Sequence, residues 1–218
     1  MTRFASHAFG RRAFLRGAAA LGAGALLPLD TRAQAAQIHE LTGEVRVNGE
    51  RLARGGAIRA GDAIYTAAGA AVWFTLGGDS FFLRERSELR LEPRRAREEA
   101  LGALRLLTGA LGAAFARGAP RKVIARTATI GIRGTGVYVE SAPEETYACT
   151  CFGSTELMTP GEKMMENVLV ISGNHYARRI LRDPKQGMRV VRAPFERHTS
   201  AEIARLEQLA GRPDPFPK

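Results

Sequence analysis

Cys149-Thr150-Cys151 places the only two cysteines of a 218-residue chain two positions apart. On an extended strand residues i and i+2 project to one face, so both sulfurs would point the same way as Tyr147. Three fates are open to such a pair. The cysteines pack as two small buried residues, or they close into a disulfide in an oxidising compartment. Alternatively they act as soft thiolates that hold Cu(I), with Met158, Met164 and Met165 nearby in sequence. A disulfide would be strained, because Cα atoms two apart on a strand lie near the ~7 Å limit for bridging. A strained bond is easily reduced, which would suit a redox role.

Other reactive side chains are dispersed. His7, His39, His175 and His198 lie far apart in the chain, with no spacing of a ligand set. No Ser-His-Asp or Cys-His pattern carries a nucleophile motif. Glu98 and Glu99 are adjacent, but in a charged stretch that solvation explains, and no carboxylate pair is marked out for acid–base work. The sequence therefore reads as non-enzymatic, with no catalytic residue, no metal centre and no cofactor assigned. Basic residues gather between 178 and 197, where Arg178, Arg179, Arg182, Lys185, Arg189, Arg192 and Arg197 face only Asp183 and Glu196. That excess can draw an acidic partner, anionic lipid or cell-wall glycan, though solvated surface charge accounts for it as well.

The elements that must position these residues are short strands. Glu44-Val45-Arg46-Val47 alternates and runs into Asn48-Gly49, a strong hairpin signal. Alternating or apolar runs follow near 62–66, 71–76, 80–83, 88–92, 103–107, 110–116, 122–127 and 136–140. Others fall near 146–152, 154–158, 167–171, 174–180 and 188–192. Prolines 93, 120, 143, 160, 184 and 194 lie between the runs, where they spare the ladders. A turn glycine before an apolar strand recurs at Gly43, Gly69, Gly109 and Gly161 without a fixed period. This is an all-β pattern: a β-roll or irregular β-solenoid, or a sandwich. The one helix is C-terminal, with Thr199 and Glu202 at capping-box spacing, an apolar stripe of Ile203, Leu206 and Leu209, and a stop at Gly211 and Pro213.

The N-terminus carries an address. Arg11-Arg12 with Ala13-Phe14-Leu15-Arg16 resembles the twin-arginine export motif. The uncharged run from Gly17 to Leu29 is shorter than the ~20 apolar residues that span a bilayer. Ala33-Gln34-Ala35 is a small-x-small cleavage site, so processing is expected after Ala35, leaving a chain that does not span the membrane. Loss of residues 1–35 removes five arginines and one aspartate and lowers the net charge from +10 to +6. The twin-arginine route carries folded proteins to the periplasm, or onward as secreted proteins, and some of them acquire a cofactor first. After export, nucleic acid is not an expected partner.

Ala128-Thr129-Ile130-Gly131-Ile132-Arg133-Gly134-Thr135-Gly136-Val137 resembles the signature of FecR-like domains, with Gly131, Arg133, Gly134 and Thr135 at its core. The Gly43–Val47 opening, Gly61-Asp62 and Gly78-Asp79-Ser80 fit the same order of elements, and the likeness covers roughly 40 to 180. It implies a periplasmic, non-catalytic, β-rich module that binds or senses, with another envelope protein as partner. The chain departs from the family's full architecture, since an export signal stands where an anti-sigma region and membrane anchor would be. The glycines do not form a phosphate loop, because a strand and not a helix follows them. They permit a tight corner, and Arg133 is placed to pair with a carboxylate there or to meet a ligand. The expected organisation is a signal over 1–35, a β-domain over 36–195, and a helix with a Pro-rich tail over 196–218.

Overall fold

The computed structural model describes residues 35–53, 55–95, 100–118, 120–159 and 168–216. The expectations for residues 1–34, for Glu98 and Glu99, and for Met164 and Met165 lie outside them. The described residues belong to one compact unit, Arg32–Lys218, which takes in the C-terminal helix.

The fold is all-β with a single helix among the described residues. In chain order the strands are β1 (Gln37–Thr42), β2 (Val45–Val47), β3 (Glu50–Arg51), β4 (Ala63–Thr66), β5 (Ala71–Leu76), β6 (Asp79–Leu83) and β7 (Glu88–Pro93). There follow β8 (Leu101–Ala114), β9 (Arg121–Ile124), β10 (Thr129–Ser141), β11 (Glu145–Met158), β12 (Val168–Ser172), β13 (Tyr176–Lys185) and β14 (Met188–Ala193), and then α1 (Ser200–Leu209). The β2–β3 hairpin turns through Asn48 and Gly49, both at positive φ. All pairings are antiparallel except β8 with β9. That is the pairing of a roll or sandwich, not of a solenoid coiled from parallel turns.

Two long strands organise the rest. The runs near 103–107 and 110–116 are one strand, β8, which bends at Gly109 (φ +84°). A side chain on Gly109 would overlap Ser87, whose hydroxyl accepts the Ala110 N–H at 2.9 Å. The first half of β8 pairs with β7 and β9, the second with β6 and β10. In the same way β11 pairs with β13 through Glu145–Thr150 and with β12 through Gly153–Leu157. Pro184 falls inside β13, not between strands, but in the stretch between Ile180 and Lys185 where the ladder with β14 is interrupted.

Alternation sorts side chains into two clusters. Phe74, Phe81, Leu83, Leu104, Leu111, Val137 and Val139 fill the main core. Their neighbours Trp73, Phe82, Tyr138, Tyr147, Cys149 and Cys151 face the other way and are covered by Ile203 and Leu206 of α1. The helix starts as the sequence predicts: the Thr199 side chain accepts the Glu202 N–H, and Glu202 returns a bond to the Thr199 backbone. Around it, Arg84 meets Glu202 at 2.7 Å, Arg205 meets Glu40 at 2.7 Å, and Arg197 meets Glu140 at 2.6 Å. The C-terminal arm, 194–216, thus lies across the outer sheet face and brings residue 198 to the cysteines.

Candidate metal centre

Cys149 pairs with Tyr138 of β10 on one side and Ala177 of β13 on the other, in the middle of the sheet. Its neighbour Thr150 points to the opposite face, where its hydroxyl bonds Thr155 at 2.6 Å. Cys149 and Cys151 therefore share the outer face, and both are free, buried thiols.

The histidines read as scattered in sequence are gathered here. His175 sits just before β13, and its N–H donates to the Cys151 carbonyl at 2.9 Å. Its ring nitrogen Nδ1 lies 3.8 Å from Cys149 Sγ. His198 comes from the arm, and its Nε2 lies 3.4 Å from Cys151 Sγ. One nitrogen from each ring and both sulfurs all fall within 4.8 Å of one another. A tetrahedral ion with bonds of about 2.3 Å to sulfur and 2.0–2.1 Å to nitrogen has edges of roughly 3.3–3.8 Å between its ligands. The His175–Cys149 and His198–Cys151 distances sit at that spacing.

The surroundings fix both rings. His198 Nδ1 faces the Glu196 carbonyl at 2.9 Å and donates to it, which turns Nε2 toward Cys151. His175 Nε2 lies 2.9 Å from the Ser200 hydroxyl, which turns Nδ1 toward Cys149. Such outer partners are the usual orienting contacts of metal-bound imidazoles. His198 stacks on Tyr138 with ring centroids 4.3 Å apart, and His175 stacks on Phe195 at 4.0 Å and Phe216 at 4.8 Å. The Tyr138 hydroxyl donates to Glu140 at 2.6 Å, and the Tyr147 hydroxyl to the Pro194 carbonyl at 3.0 Å.

Backbone strain is concentrated here as well. Five described residues other than glycine have positive φ. Asn48, Arg86 and Gln186 lie in turns between strands, whereas His175 (φ +44°) is a candidate ligand and Arg197 (φ +70°) precedes the other. Left-handed backbone at bulky residues costs about 1–3 kcal/mol and persists only where its surroundings demand it. The pair of thiols is electrically asymmetric. The hydrogen bond from Cys151 pulls the Cys149 thiol well below the ordinary range, with smaller help from His175 and His198. Burial pushes Cys151 up.

Of the methionines in the copper reading, Met158 lies away from this cluster at the far end of β11, paired with Thr129. The Gly131–Thr135 corner is also elsewhere, along β10. Arg133 is exposed, no carboxylate among the described residues pairs with it, and it lines an open cleft with Arg117, Ser154 and Ile171. The corner is held by Thr135 instead, whose hydroxyl donates to the Ser154 carbonyl at 2.8 Å and accepts its N–H at 2.9 Å. The buried arginine–acid pair is Arg121 with Asp79, at 3.0 Å.

The basic stretch is largely engaged within the protein. Arg179 binds Glu145 at 3.1 Å and also Glu196, and Arg182 binds the Pro143 carbonyl. Arg178 lies 4.2 Å over the Tyr176 ring with Arg192 behind it at 5.6 Å, and Arg189 reaches the Arg182 carbonyl. Nothing in sequence spacing announced His175 and His198 as partners of the cysteines. The nearest signal was the capping box that begins one residue after His198.

No family model and no curated protein matches this sequence. Among solved structures the chain is similar to two crystal structures of a "putative anti-sigma factor" from Parabacteroides distasonis, each with a TM-score of 0.48. The first is 15% identical over 60% of this chain and 58% of that one, so the match spans less than two thirds of its length. The second is 13% identical over 68% of this chain and 74% of that one.

Proposed function

We propose that this chain is an exported, non-catalytic β-domain of binding or sensing type, and that what it binds through Cys149, Cys151, His175 and His198 is a transition-metal ion. The observation that carries this reading is the convergence of four soft or borderline donors, with both imidazoles held by outer hydrogen bonds. Four protein ligands fill a tetrahedral shell and leave no position for a substrate, which separates a holding site from a catalytic one.

The twin-arginine signal supports the same reading. Thiolates loaded and buried before export are protected from the oxidising compartment that would otherwise pair them. The FecR-like signature at Gly131–Thr135 supports a sensing module that meets another envelope protein. No helix among the described residues is long and apolar enough to cross a membrane.

The redox alternative has less behind it, because both sulfurs lie under the arm and its rings. The lipid or glycan alternative is weakened by the internal contacts of Arg178, Arg179, Arg182, Arg189 and Arg192.

Elemental analysis of the purified reduced chain, beside a Cys149→Ser/Cys151→Ser variant, tests the proposal. A stoichiometric ion in the parent and none in the variant is the expected result. A parent that neither carries nor takes up an ion would overturn it.

A further inference from the structure

Resting on that metal reading, we infer that the ion is divalent, of the zinc class, and that it latches the C-terminal arm 194–216 onto the sheet so that the arm's position reports occupancy.

Charge decides the valence. Two thiolates and two neutral imidazoles carry a charge of about −2, which a divalent ion cancels. Cu(I) would leave a net negative charge among Tyr138, Tyr147, Phe195 and Phe216, where an uncompensated charge is costly. The nearby Arg84 and Arg197 are already engaged with Glu202 and Glu140, so neither is free to offset it.

The origin of the ligands decides the role. Cys149 and Cys151 come from β11 and His175 from the residue just before β13, which continues the same ladder by a bond to the Cys151 carbonyl. His198 alone comes from the arm, so a bond to His198 is a bond between arm and sheet. The exposed ion pairs that hold the arm are individually modest. The ion pairs Arg84–Glu202, Arg197–Glu140 and Arg205–Glu40 are all partly exposed, a class worth about 0–1 kcal/mol each. Helix α1 spans ten residues, too few to persist on its own in water. It therefore depends on docking Ile203 and Leu206 against Trp73, Phe82 and Ala110. Ser200, the first residue of the helix, holds His175 as well, so the arm supplies both a ligand and the orienting contact of another. Since metal binds the docked state more tightly than the undocked one, occupancy shifts that balance by mass action.

Hydrogen exchange on the full chain, reduced and either loaded with Zn(II) or stripped by a chelator, reads the latch directly. In the stripped chain 194–216 should exchange ahead of β5 and β6, and loading should slow exchange across the arm by about tenfold or more. His198→Ala should still take up Zn(II) weakly through three ligands but lose the slowing, and His198→Cys should restore it. Stoichiometric Zn(II) with no change in the arm would overturn the latch while leaving the metal reading intact. Failure of the parent to bind any ion would remove the metal reading itself. Replacement with Co(II) gives an independent check on the closed shell. Intense visible bands of a four-coordinate sulfur–nitrogen site are expected, and weak six-coordinate bands would overturn it, as would copper in the protein isolated from cells.

Discussion

His198 Nε2 lies 3.4 Å from Cys151 Sγ although 47 positions separate the two residues in the chain. The contact joins a central strand to the segment that enters α1, so whatever strengthens it should stabilise the whole described unit. Added Zn(II) at a hundredfold excess over its dissociation constant should raise stability by about 2.7 kcal/mol. Thermal melts of the reduced chain with and without Zn(II) measure this. Cys151→Ser should abolish most of the shift, and a parent whose melting is indifferent to Zn(II) would contradict the expectation.

Gly112 faces the Phe82 ring across the β6–β8 pair, and a side chain there would come within 2.0 Å of it. Gly112→Ala must therefore displace Phe82, which packs on Trp73 at 4.5 Å beneath the arm. Overpacking of this kind costs about 1–3 kcal/mol, readable as a lower urea midpoint. An unchanged midpoint would mean that the outer face is looser than described.

Arg121 and Arg133 offer a direct contrast. Arg121→Ala leaves the Asp79 carboxylate buried without its cation, a loss of about 3–5 kcal/mol. Arg133→Ala removes an exposed side chain with no acid partner among the described residues and should stay within about 0.5 kcal/mol of the parent. Equal effects in denaturant melts would restore the structural role that the signature suggested for Arg133.

Asp79 should also imprint a pH dependence. Burial raises its carboxyl above the ordinary range, against the lowering effect of the Ala116 N–H and Arg121. The folded state then holds the proton more tightly than the unfolded chain does. Its stabilising share is full below the unfolded value of about 3.9 and is lost as pH rises through the raised folded value. Compared with Asp79→Asn, which cannot titrate, the parent should lose relative stability as pH climbs through that window. A relative gain there would reverse the sign and refute the account.

The Thr199–Glu202 capping box supports the first turn of α1. Thr199→Ala should cost about 1 kcal/mol and speed exchange in the arm before the sheet responds. If helix and sheet exchange change together, the arm does not open separately.

Local chemistry made much of this fold legible. Asn48-Gly49 marked its hairpin, Glu88–Glu92 alternated as a half-buried strand must, and Thr199 with Glu202 marked the helix start. β1 escaped notice because its burial is partial and a bulge between Ile38 and Glu40 breaks its alternation. The unity of β8 was hidden by Gly109, which reads as a turn and acts as a bend. The metal centre was half visible. Cys149 and Cys151 share a face by strand geometry alone, but His175 and His198 reach them through a left-handed backbone and an arm that folds back across the sheet, neither of which has a local period.

The pairing of Tyr138 with Cys149 belongs to the same β10–β11 ladder that pairs Arg133 with Ser154, interrupted only by irregularities on either side of Gly136. Because a strand alternates faces, a slip of one residue in this ladder would turn both sulfurs inward and offer Ala148 and Thr150 to the histidines. The centre is therefore a readout of strand register. An insertion within β11 between 145 and 149 that shifts this pairing would erase it with all four donor residues still in the sequence.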